Sequence, residues 1–63
     1  MEREERIQRA VEQLPAGEQE LVRQFHFEGR TDAEIGERQQ LTEGQVKSRL
    51  SQARQRLREI LGN

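Results

Sequence analysis

The sequence predicts an all-α fold of four helices, and three observations carry that expectation. Glu, Gln, Arg, Leu and Ala dominate the chain, and all five are strong helix formers. Apolar residues recur in steps of three and four, the period of a half-buried helix face. Two capping signatures, "TDAE" from Thr31 and "TEGQ" from Thr42, mark helix starts eleven residues apart.

The first helix is expected over about 3–14, where Ile7, Ala10, Val11 and Leu14 stand at i, i+3, i+4 and i+7. Pro15 limits it, because the residue before a proline is pushed out of the α region. Proline suits a first helical turn, so a second helix is expected over about 16–28, with Leu21, Val22 and Phe25 inward and Gly29 as its left-handed cap. Thr31 and Glu34 open a third, short helix over 32–38 through Ala33, Ile35 and Gly36. Thr42 and Gln45 open the fourth and longest, over 43–61, which Gly62 ends. Its apolar residues Val46, Leu50, Ala53, Leu57 and Ile60/Leu61 form a seam for the other helices to cover. Two capped starts this close leave room only for a short helix and a tight turn, the spacing of a helix-turn-helix.

Composition narrows the functional classes. At 63 residues the chain is expected to be one small domain, 1–63, without space for an enclosed substrate cavity. It has no Cys, so packing alone must stabilise it. His26 is the lone His, and no cluster of His, Cys or carboxylates stands at metal spacing. Glycine loops for phosphate are absent too. No enzyme, no metal and no cofactor are therefore expected. No apolar run approaches the roughly 20 residues that cross a membrane, and none follows the charged start as a signal peptide would. The expected address is the cytosol, with no membrane partner.

Charge is unevenly distributed. Residues 1–41 hold six Arg against ten Asp and Glu, net −4, whereas residues 42–63 hold five Lys and Arg against two Glu, net +3. On a helical wheel with the seam inward, Lys47, Arg54 and Arg58 fall on one flank of the last helix and Arg49 and Arg56 on the other. Gly44, Ser48, Ser51, Gln52 and Gln55 form the outer strip. Cations outside a lone amphipathic helix are ordinarily a solvated face. Here they coincide with two capping boxes, a small Gly36 where two helices must cross, and an apolar Val46 ten positions later. Short hydroxyl and amide side chains between two cationic shoulders suit a DNA major groove, the former reaching base edges and the latter phosphates.

With "LP", "FEG", "TDAEIG" and "TEGQVKSRLSQARQRLRE" in order, the sequence resembles region 4 of the sigma-70 family, most closely the extracytoplasmic-function group, over about Val11 to Leu61. The resemblance implies a helix-turn-helix unrelated to the winged type, a bacterial and nucleoid-associated location, and a long recognition helix in the major groove of the minus-35 promoter element. It further implies docking on the flap of the RNA polymerase β subunit. Carried over residue by residue, it puts Lys47, Ser48, Arg49, Ser51, Gln52 and Arg54 against double-stranded promoter DNA, with Thr42 and Gly44 at the phosphate. Gln45, at the reciprocal position of the second capping box, completes the expected DNA-binding set. Ile35, Leu41, Val46 and Leu50 would join the two helices of the motif. Three positions depart from the family pattern: Gln52 replaces a larger DNA-contacting residue, Gln39 and Gln40 fill the turn where an apolar residue and a glycine are usual, and Gln24 replaces an apolar residue. A sigma factor also needs a region that melts the minus-10 element, so this segment by itself is not expected to start transcription.

Two other readings stay open at the level of sequence. One is a sigma-like protein-interaction module that binds an anti-sigma factor and touches DNA little, favoured by the acidic N-terminal portion. The other is a LuxR-type regulator domain, which shares the four-helix plan and the "VK" pair but dimerises through its last helix.

Overall fold

The first helix, α1 (Glu2–Glu12), ends two residues before the expected Leu14. The computed structural model describes residues 2–62, with side chains from Glu5 onward, and Met1 and Asn63 lie outside the described residues. The early ending follows from Pro15. With residue 14 forced out of the α region, the last amides tighten into three-residue turns, Gln13 N–H donating to Ala10 and Leu14 N–H to Val11, each at 3.0 Å. The side-chain amide of Gln19 takes up two of the freed carbonyls, donating to Glu12 O at 3.1 Å and Leu14 O at 2.7 Å. Ala10, Val11 and Leu14 are buried as their spacing predicts, whereas Ile7 stays 39% exposed at the edge.

The second expected helix is two elements. An α-helix, α2 (Ala16–Val22), widens without a break into a π-helical turn (Arg23–Phe27). Glu28 N–H donates to Arg23 O at 3.0 Å and Arg30 N–H to Gln24 O at 2.9 Å, with Gly29 between them at φ 69°. The wider turn changes which residue faces the core: Gln24 is buried, 2% exposed, and Phe25 is only half-buried at the rim. Gln24 thus fills a core position where an apolar residue is expected. Phe27, one turn end further, is exposed.

Both capping boxes form. Thr31 Oγ1 accepts from Glu34 N–H at 3.1 Å while Glu34 Oε1 accepts from Thr31 N–H at 2.9 Å, opening α3 (Asp32–Gln39). Thr42 and Gln45 repeat the exchange at 3.1 and 2.9 Å, opening α4 (Glu43–Leu61). Each box satisfies two amides that no helical carbonyl can reach, and losing such a cap costs about 1 kcal/mol. The turn between the helices is tight. Gln40 adopts the left-handed conformation, φ 59° and ψ 45°, and Leu41 N–H returns to Gly36 O at 2.8 Å. Glycine is the usual residue in that conformation, and Gln40 is the only non-glycine at positive φ among the described residues.

The four helices enclose a core of Val11, Leu14, Leu21, Val22, Ile35, Val46, Leu50 and Ala53. α4 touches α1, α2 and α3, so it is the central element as well as the longest. The seam is dry at Val46, Leu50 and Ala53 and thins to half-buried Leu57, Ile60 and Leu61 toward the helix end. Gly36 is where α3 meets the incoming chain: a Cβ there would stand 2.5 Å from the Leu41 carbonyl oxygen and 3.5 Å from Val46 Cγ2.

Two glycine substitutions should therefore differ in sign. Gly36→Ala is expected to destabilise the fold by about 1–3 kcal/mol, because backbone must move to admit the methyl group. Gly17→Ala, where nothing lies within 4 Å of the added Cβ, is expected to be neutral or to stabilise by up to about 1 kcal/mol. Urea denaturation of the two variants beside the parent checks both.

Candidate nucleic-acid interface

With its seam buried, α4 has no freedom in which face it shows. Lys47, Ser48, Arg49, Ser51, Gln52 and Arg54 are all exposed, as are Thr42, Gly44 and Gln45 at the N-terminal end. The fold divides seven of these nine residues between two edges, with Thr42 and Gly44 at the helix start. Gln45, Ser48, Arg49 and Gln52 line an open groove whose other wall is Pro15, Gly17, Glu18 and Leu21 at the start of α2. Ser48 and Gln52, which the wheel assigns to the outer strip, thus border α2. Lys47, Ser51 and Arg54 lie on the opposite side of the helix.

Gln45 has a divided role. Its Oε1 accepts from Thr42 N–H in the capping box, so the amide NH2 is the half of the side chain left to meet a ligand. Thr42 Oγ1 is likewise engaged by Gln45 N–H. Gly44 leaves the first turn of α4 uncovered, with only Thr42 Oγ1 near a Cβ at its position, at 3.9 Å.

The flanking cations differ in how they are held. Arg56 Nε donates to Glu18 Oε2 at 3.1 Å, an ion pair joining α4 to α2 whose carboxylate side chain is only 13% exposed. Its charge has a partner within the domain, although the Arg56 side chain itself is 55% exposed. Arg54 instead lies over the ring of Phe25, its guanidinium carbon 5.2 Å from the centroid. His26 meets the same ring edge-on, with centroids 5.1 Å apart and an interplanar angle of 86°. Burial first, and the nearby Arg54 charge second, hold the His26 imidazole below its ordinary value of 6.5, so it adds little positive charge at neutral pH. Neither Lys47, Arg49 nor Arg58 forms an ion pair among the described residues. The Glu18–Arg56 and Phe25–Arg54 contacts were outside the reach of sequence reading, since each joins elements far apart in the chain.

Among the described residues no group of His, Cys, Asp or Glu is arranged to hold a metal, and no helix is long and apolar enough to cross a membrane. What remains is a capped helix-turn-helix presenting polar side chains and unpaired cations on the outward side of its second helix, the arrangement of a DNA-binding domain. A family model for sigma-70, region 4, matches residues 4–57, and the chain belongs to that family. It is accordingly a sigma-factor-like DNA-binding domain and not an enzyme. Searches of the curated proteins and of the solved structures returned no match.

The two capping boxes differ in one property that matters at the interface. α3 begins with a carboxylate, Glu34, and α4 with an uncharged amide, Gln45. Hydrogen bonds from the Thr31 backbone and then its side chain hold the Glu34 carboxyl below its ordinary value of 4.5. A lowered folded-state value means that its contribution to stability is complete above the unfolded value and is lost as pH falls through the folded one. In an acid titration followed by amide NMR, the Thr31 N–H should shift below about pH 4.5, while the Thr42 N–H, bonded to a group that does not titrate, should hold its position.

Proposed function

We propose that α4 reads the minus-35 promoter element in the major groove, within an RNA polymerase holoenzyme of the bacterial cytoplasm, while another surface docks on the polymerase β flap. Residues 1–63 act in this as one domain. The observation that carries the reading is the exposed face of α4, whose small and amide side chains run beside unpaired cations on a helix whose rotation the buried seam fixes. Lys47, Arg49 and Arg54 serve phosphates. Ser48, Ser51 and Gln52 face base edges, and Thr42, Gly44 and the Gln45 NH2 lie at the phosphate nearest the helix start, where free amide groups favour an anion.

A protein partner has its own support in a groove between α1 and the π-helical turn. Phe27 is 45% exposed and Ile7 39%, and Phe27 lines a groove with Gln8, Val11, Glu12, Arg23 and Glu28. Exposed apolar side chains rimmed by charge suit docking on protein. The polymerase flap is the occupant this reading assigns, and an anti-sigma factor would compete for the same domain.

Fluorescence anisotropy with labelled duplexes resembling minus-35 elements, measured over a range of salt, tests the DNA reading. Binding should depend on sequence and weaken with salt, since each neutralised phosphate adds about 0.9 to the slope of log K against log salt. Arg49→Ala should lower that slope by about 0.9. Arg56→Ala should leave it nearly unchanged, because Glu18 already matches that charge. Absence of binding even at low salt would sink the reading and leave the α4 face to proteins.

A further inference from the structure

Phe25 lies outside the recognition helix, yet it is the residue against which a recognition-helix cation rests. The Arg54 guanidinium carbon stands 5.2 Å from the Phe25 ring centroid. The ring is itself anchored, half-buried against the core from one side and met edge-on by His26 at 5.1 Å. A cation–π contact leaves guanidinium N–H groups free to donate. It also leaves the charge unmatched, unlike the ion pair that binds Arg56 to Glu18. An arginine held this way gives up little side-chain freedom when it meets a phosphate, whereas a free one loses most of it.

We propose that Phe25 is a positioning residue for DNA binding, acting through Arg54: it holds the guanidinium in place with charge and N–H edge available to a backbone phosphate. The inference rests on the DNA reading above and goes beyond it by assigning a role to a residue in the π-helical turn, on a different helix from the contacts. The turn supplies the geometry. By bringing Gln24 into the core it leaves Phe25 at the rim beside α4.

The test is a double-mutant cycle in the intact chain, comparing parent, Phe25→Leu, Arg54→Ala and the double variant by anisotropy over a range of salt, at a temperature where thermal unfolding shows all four folded. Leucine keeps apolar bulk but has no π face. Phe25→Leu is expected to weaken binding roughly two- to fivefold in the parent and not at all in the Arg54→Ala background, and Phe25→Tyr should restore binding. Equal losses in both backgrounds would overturn the inference while leaving DNA binding intact. If the parent binds no duplex, the DNA reading and this inference fall together. A second measurement needs neither DNA nor a folded variant: the Arg54 Hδ protons of the free parent should show an upfield ring-current shift, and random-coil positions for them would equally overturn the proposal.

Discussion

The rest of the structure depends on how closely the α3–α4 turn can fold back on α3. Gly36 lies against the Leu41 carbonyl at a distance no side chain would tolerate, and the Leu41 amide closes the same approach by donating to Gly36 O at 2.8 Å. That contact sets the angle between the two helices. Once it is set, Val46 and Leu50 fall into the core, and α4 must show its polar face outward. The left-handed Gln40 is part of the same constraint: a residue poorly suited to positive φ is held there because the approach of Leu41 to Gly36 requires the reversal.

Much of this architecture was legible because its causes are local. A capping box is four residues long and spells its own geometry, so both boxes could be read from Thr31 and Thr42. The α4 seam spans four turns of regular spacing, enough for periodicity to identify the inward face. Gly36 could be read from its place between the two caps. The misread parts depend on competition between neighbours. α1 stops at Glu12, ahead of Pro15, and Gln19, a residue of the next helix, takes up two of the carbonyls that this ending frees. The π-helical turn follows an apolar pattern that a regular α-helix would fit as well, and so Phe25 was expected inward where Gln24 went.

The candidate site was legible in outline for a related reason. Exposure of Lys47, Ser48, Arg49, Ser51, Gln52 and Arg54 follows from the seam alone, as the complement of what is buried. The setting of each side chain does not. Whether an arginine on α4 meets a carboxylate or an aromatic ring depends on which residues of α2 and its π-helical extension stand opposite, and no spacing within α4 encodes that. The net charge of the whole chain is −1, a poor guide to a surface on which residues 42–63 carry five Lys and Arg against two Glu while residues 1–41 are net negative.

The ion pair between Glu18 and Arg56 gives the exposed face of α4 a sideways polarity. Lys47, Arg54 and Arg58 stand along one edge, while on the other Arg49 is, among the described residues, the cation outside an ion pair. A polyanion approaching such a face feels a torque as well as an attraction. A duplex bound by α4 would meet more unpaired charge on the side of Lys47, Arg54 and Arg58 than on the side of Arg49. Long-range attraction would then carry an orientational preference about the α4 axis before short-range contacts form.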